Sequence, residues 1–206
     1  MSKLDLTKLY KSYYTARTKP ELADLDAAHY LAITGKGDPS SESFLKSIEA
    51  LYSVAYTVKF ACKDAGNDFV VARLEGQWWY DEARYGGISM SDTPTAVPRN
   101  EWEYRLLLRM PEFVSADHLA VAIDKVVAKK ANDDAKKVEL YTLPARRVVQ
   151  MMHIGPFDTE PETLQQIISF MNEHGFAKNG LHHEVYLSDF RKTAPEKLKT
   201  ILREPI

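Results

Sequence analysis

The feature that most limits what this chain can fold into is a plan of elements that occurs twice. The apolar run Leu31-Ala32-Ile33-Thr34 ends in Gly35-Lys36-Gly37, and Asp38-Pro39 follows. Far downstream, Val148 to Ile154 ends in Gly155-Pro156, and Thr159 follows after two residues. Each run reads as a buried strand closed by a turn that opens a helix. In the first copy Asp38 is the expected cap and Pro39 the first helical position, where a missing N–H does no harm. Phe44, Ile48, Leu51, Ala55, Val58 and Cys62 then recur at steps of three and four, an amphipathic helix that Gly66-Asn67 ends. In the second copy Thr159 and Glu162 have the spacing of a capping box, Leu164, Ile167, Ile168 and Met171 line one face, and Gly175 ends the helix. A strand follows in both, Phe69 to Gln77 and Leu181 to Ser188. The repetition is one of pattern more than of identity.

This predicts an α+β fold of two pseudo-symmetric strand–helix–strand halves. A duplicated unit of this kind buries its helices on one sheet face and leaves the other to line a central cleft. The expected organisation is a single domain over 1–206: an N-terminal arm (1–25), a first repeat (26–92) and a second (93–206). The arm carries Leu6, Leu9, Tyr10, Tyr13 and Tyr14 at helical spacing. Gly86 to Arg99, with its Gly, Pro, Ser and Thr residues, reads as the connector. The second half opens with Glu101 to Met110, where Trp102, Tyr104, Leu106, Leu108 and Met110 alternate with Glu103, Arg105 and Arg109. Ser115 is the expected cap of a helix carrying Leu119, Ile123, Val126 and Val127.

Composition removes several classes of function. The formal net charge of −2 leaves no basic excess for nucleic acid. Lys129, Lys130, Lys136 and Lys137 cluster, but Asp133, Asp134 and Glu139 interleave with them, as on a solvated helix end. The lone Cys62 excludes an internal disulfide framework and a cysteine-rich zinc site. No run approaches the roughly 18 apolar residues that a membrane span needs, and Met1 to Tyr14 lacks the apolar core of a signal peptide. The expectation is a cytoplasmic protein, monomer or homodimer, with a small hydrophobic or aromatic ligand, no nucleic acid, no membrane and no cofactor.

Candidate site residues come from the strand over 181–188. Alternation sends Leu181, His183, Val185 and Leu187 to an apolar face and His182, Glu184, Tyr186 and Ser188 to the other, expected to face the cleft. A carboxylate at Glu184 among aromatics suits a general base or a cation's partner. The plainer alternative is a structural carboxylate paired with Arg147 or another arginine, or simply an exposed strand face. Glu75, on the matching strand of the first half, would reach the same cleft if the halves pair about a pseudo-twofold axis. Trp78, Trp79, Tyr80, Trp102 and Tyr104 are either pocket wall or packed sheet edge. His153, His182 and Glu184 form a conceivable but unexpected metal triad, their spacing lacking the tightness of a closed site.

His182-His183-Glu184-Val185-Tyr186-Leu187-Ser188-Asp189, with Arg191 and the tail Ala194-Pro195-Glu196-Lys197-Leu198 through Arg203, resembles the end of GyrI-like small-molecule-binding domains. Tyr13-Tyr14-Thr15-Ala16, Pro20-Glu21 and Leu74-Glu75-Gly76-Gln77-Trp78-Trp79 look like the stand-alone bacterial branch of that family. The resemblance implies two βαββ repeats around a concave surface, with Glu184 as the pocket glutamate that meets cationic drugs. It also implies, for some stand-alone members, hydrolysis of the cyclopropane ring of DNA-alkylating compounds. Here Glu184 would orient or deprotonate water, Tyr186 or Tyr80 would donate to the developing phenolate, and Trp78, Trp79 and Trp102 would stack on the substrate. Tyr104, Glu75, His153, His182 and Phe157 complete the expected lining. A non-catalytic drug-sequestering or sensing protein, acting without a DNA-binding region in the same chain, and a gyrase-inhibiting interaction protein are the alternatives.

Overall fold

A computed structural model describes residues 3–89, 91–130 and 132–206. Met1, Ser2, Met90 and Ala131, spanned by the readings above, lie outside the described residues, as does the Lys130 side chain. The elements run β1 (Leu4–Asp5), α1 (Leu6–Leu9), β2 (Glu21–Leu25), β3 (Ala28–Lys36), α2 (Glu42–Asp64), β4 (Phe69–Val70), β5 (Leu74–Trp79), α3 (Glu82–Tyr85), α4 (Thr93–Ala96), β6 (Glu103–Arg109), α5 (Ala116–Lys130), β7 (Glu139–Leu143), β8 (Arg146–Ile154), α6 (Glu160–Glu173), β9 (His182–Tyr186) and β10 (Lys199–Pro205).

Eight strands form one antiparallel sheet in the order β2-β8-β10-β9-β5-β6-β3-β7. Its connections force it to curl. In a flat sheet β2 and β3 would stand roughly 29 Å apart, at about 4.8 Å per strand. Only Asp26 and Ala27 join them, and three Cα steps reach at most about 11 Å. Pro144 and Ala145 impose the same constraint on β7 and β8. The two ends of the sheet therefore come round toward each other.

Two βαββ units share one internal order. In β3-α2-β5-β6 the third strand lies between the first and second, and β8-α6-β9-β10 repeats this. β6 hydrogen-bonds to β3 and β5. The units meet where β5 pairs with β9. Helix α2 packs on β3 and β6, and α6 on β8 and β10, so the seam strands lie between the two helices. Helix α2 buries Leu51, Val54 and Val58 completely; each such side chain contributes about 1.5–3 kcal/mol of burial. On the other face, inside the curl, Val148, Val185 and Ile201 are fully buried against Tyr13 and Tyr14 of the N-terminal segment rather than against a helix.

Local chemistry departs from the expectations at four places. Helix α2 is capped by Ser41, whose Oγ accepts from Phe44 N, because Asp38 Oδ1 is already used by Ser40 in a tight turn. Thr159 precedes α6 but its Oγ1 donates to Pro156 O, so the capping box does not form. The strand expected over 69–77 is split into β4, which pairs in parallel with β1, and β5. The N-terminal helical pattern yields only the four residues of α1, since Tyr13 and Tyr14 turn inward.

Candidate active site

Glu184 sits in the middle of β9, opposite Gly76 of β5. Its side chain lies on the helix-bearing face. Leu202, its partner on β10, packs against Ile167 and Met171 of α6, and Trp78, on the same face of β5, stacks on Phe44 of α2 at 5.7 Å. The expected assignment of faces is thus reversed, because β9 is central and both of its faces are buried. Alternation separates the faces of such a strand but does not say which one the helices cover.

A continuous chain of hydrogen bonds passes through Glu184. Trp78 Nε1 donates to Tyr186 Oη (3.0 Å), and Tyr186 Oη donates to Glu184 Oε2 (2.5 Å). His182 Nε2 lies 3.0 Å from Glu184 Oε1, while His182 Nδ1 bonds to Glu204 Oε1 on β10. A carboxylate only accepts, so the His182 ring donates from both nitrogens as an imidazolium. Burial works against that charge, but Glu204 and Glu184 outweigh it and hold the imidazole up at about 10. Burial, reinforced by Glu184, also pushes the Tyr186 phenol well up and the Glu160 carboxyl well up. Glu160 Oε1 is buried without a hydrogen-bond partner.

The aromatic wall is built around Trp78. Trp102 meets it edge-on at 6.1 Å and Tyr104 lies 5.8 Å away. Tyr104 is a core residue, its hydroxyl 3.0 Å from Ser47 Oγ, and Trp102 Nε1 donates to Val97 O. Phe157, largely exposed, meets Tyr186 edge-on at 6.0 Å and closes the other side. Gly76 makes the arrangement possible: a Cβ there would come within 2.9 Å of both Trp78 Nε1 and Tyr186 Oη. Glu184 itself is 9% exposed.

The structure gathers Glu184, Tyr186, His182, Trp78, Trp102, Tyr104 and Phe157, and it separates the rest. Glu75 points to the inner face, where Tyr13 Oη and His183 Nε2 both bond its Oε2. It does not share the cleft with Glu184. Trp79 also lies inside, beneath the Arg105 guanidinium at 5.6 Å. Tyr80 donates to Ile88 O in the connector and packs on Tyr85. His153 bonds to Thr163 Oγ1 and Pro156 O, which occupies both nitrogens. Arg147 pairs with Asp24, not with Glu184. Among the described residues no group of three His, Cys, Asp or Glu is placed to hold a metal ion. Sequence reasoning missed Glu204 and Glu160. Nothing local in the sequence brings the terminal strand beside β9, and Glu160 is one of several acids around the start of α6.

A family model described as the GyrI-like small molecule binding domain matches residues 18–206. An uncharacterized conserved protein from Listeria innocua is 37% identical, with a TM-score of 0.87 over 98% of this chain and 99% of that one. A structure described as a hydrolase from Listeria innocua is 36% identical, TM-score 0.83, over 98% and 99%. Another Listeria innocua hydrolase is 36% identical, TM-score 0.84, over 99% of each. No curated protein matches. No helix among the described residues is long and apolar enough to cross a membrane. With its family model spanning both repeats and the seam between them, the chain belongs to the GyrI-like small-molecule-binding domain family.

Proposed function

We propose that this protein is a hydrolase that adds water to a small, flat, lipophilic electrophile bound at the seam, with the activated cyclopropane of a DNA-alkylating compound as its substrate class. The observation that carries the reading is the Glu184 carboxylate, set between the two helices with both oxygens held, one by Tyr186 and one by His182. The hydrolases of Listeria innocua to which the chain is similar support it.

In this reading Trp78 and Trp102 stack on the substrate and Phe157 borders the entrance. Glu184 takes a proton from water as the water oxygen bonds to the ring carbon. The ring C–C bond breaks, and its electron pair passes through the conjugated system to the carbonyl oxygen. Tyr186 turns its single hydroxyl hydrogen from Glu184 Oε2 to that oxygen as it becomes a phenolate. The proton held by Glu184 returns to it, giving a phenol, and the net change is the addition of one water. The His182–Glu204 pair positions Glu184 through its second oxygen.

Incubation with a cyclopropanoid alkylator, followed by mass spectrometry, tests this. The wild type is expected to give the water adduct over many turnovers, and Glu184→Gln to lose roughly 10²–10⁴-fold in rate. Turnover unchanged in Glu184→Gln overturns the general-base role. A second reading, sequestration of a lipophilic cation, draws on the Glu160 carboxyl, buried without a partner beside Glu184, which a bound cation would favour in its charged form. Stoichiometric binding without product would favour it.

A further inference from the structure

The inner face of the sheet carries a polar row that crosses both repeats. Register aligns Arg105, Gln77, His183, Arg203, Gln150 and Glu21 on successive strands from β6 to β2. Of the flanking rows, one carries Leu107, Glu75, Val185 and Ile201, the carboxylate already held by Tyr13 and His183, and the other carries Val148. His183 is at the centre and fully buried. Two guanidiniums flank it, and a third lies two strands away in the same row. Arg146 Nη2 lies 2.8 Å from His183 Nδ1, Arg203 is its register partner, and Arg105 Nη1 bonds to Gln77 Oε1 at 3.0 Å one strand away.

Each of these arginines has only neutral partners. Arg203 bonds to Gln150 Oε1 and the Tyr13 carbonyl, Arg146 to His183 and Pro144 O, and Arg105 to Gln77. None forms an ion pair among the described residues. His183 must accept from Arg146 at Nδ1 and donate to Glu75 at Nε2, so it is the neutral tautomer and adds no charge. One N–H-bearing nitrogen of each arginine is buried and unpartnered: Arg105 Nε, Arg146 Nε and Arg203 Nη1. Arg203 is fully buried, and Arg105 and Arg146 are half-buried. The inner-face carboxylate Glu75 is taken up by Tyr13 and His183, and the unfilled donors of the three arginines suit the acceptor oxygens of a ligand.

We propose that this inner end of the curled sheet is a second ligand site, which takes a small oxyanion, a carboxylate or a phosphate, between Arg105, Arg146 and Arg203. Guanidiniums suit such oxygens because their N–H groups bind them in pairs. Arg105, Arg146, Trp79 and Tyr141 are only half-buried, so this end is the way in, and the two rings, stacked with Arg105 at 5.6 and 4.2 Å, offer a flat wall to an aromatic acid. The site lies across the sheet from Glu184 and is independent of the reaction proposed there.

Calorimetric titration with inorganic phosphate and with benzoate tests it. One saturable site per chain is expected for at least one probe, and the preferred probe identifies the class of oxyanion. Arg146→Gln and Arg105→Gln are each expected to weaken it about tenfold or more. Arg147→Gln removes the same charge from the neighbouring residue, which pairs with Asp24 outside the curl, and should leave the affinity within about twofold. Glu184→Gln should bind the anion as the wild type does. The site is refuted if neither probe gives saturable heat up to about 10 mM, or if Arg147→Gln weakens binding as much as the two inner variants do.

Discussion

Glu75 and Glu184 stand one residue out of register on the hydrogen-bonded strands of the seam, and their carboxylates point to opposite faces of the sheet. The residue opposite Glu184 is Gly76, next to Glu75 in the chain. Each carboxylate accepts from one tyrosine and one histidine, Glu75 from Tyr13 and His183, Glu184 from Tyr186 and His182. The sets look alike, but their surroundings differ. Glu75 is sealed under the N-terminal segment at 0% exposure, while Glu184 keeps 9% exposure on the helix-bearing face.

Stability should separate the two. Glu75→Ala strips Tyr13 and His183 of their acceptor inside a closed core, and a loss of about 3–5 kcal/mol in urea unfolding is expected. Glu184→Ala, at the edge of solvent, should cost less than half of that while removing turnover. Equal losses in the two variants would argue against the different roles.

Gly76→Ala should damage the site through sterics alone. Its Cβ would press on Trp78 Nε1 and Tyr186 Oη at 2.9 Å, which forces both side chains away from Glu184. A stability loss of about 1–3 kcal/mol is expected, with a larger fractional loss of turnover. Denaturant midpoints and rates measured on one preparation check this.

The two tryptophans of β5 make opposite predictions for an aromatic ligand of the seam. Trp78→Ala removes the ring that meets Phe44, Trp102 and Tyr104, along with the N–H to Tyr186. Ligand affinity should fall by about tenfold or more. Trp79→Ala acts on the inner face and should leave that affinity nearly unchanged, as read by tryptophan-independent calorimetry.

The pH dependence of stability should have two limbs with separate owners. His182 is raised from 6.5 to about 10, so its stabilising charge is fully present below 6.5 and is lost as pH rises through 10. His183 is lowered to about 4, chiefly by burial, so its contribution is present above 6.5 and is lost as pH falls through 4. The two histidines together favour pH 6.5, while the raised Glu160 carboxyl, whose contribution is full below 4.5 and is lost as pH rises, draws the maximum to lower pH. His182→Gln should flatten the alkaline limb and His183→Gln the acidic one; an unchanged profile in either variant would contradict the assignment.

Much of the fold was legible because it rests on local rules. Strands ending in Gly turns, the three-and-four periodicity of Phe44 to Cys62, and the repetition of both after Val148 follow from chain geometry over a few residues. Alternation likewise puts Glu184, Tyr186 and His182 on one face of their strand, since it needs no knowledge of the strand's neighbours. Caps were less legible. Asp38 and Thr159 each have a competing local partner, Ser40 and the Pro156 carbonyl, and the balance between such bonds is a matter of small energies.

What the sequence determined by itself is the set of residues on each strand face. Which faces meet, and what covers them, was decided only by the tertiary structure. Pairing of β5 with β9 put Gly76 rather than Glu75 beside Glu184, and a shift of one residue would have reversed this. Two-residue links between opposite ends of the sheet curled it, so that Glu75, His183 and Arg203 were enclosed while the helices flanked Glu184. Register and closure are long-range properties, set by contacts between residues more than a hundred positions apart, and no local pattern encodes them.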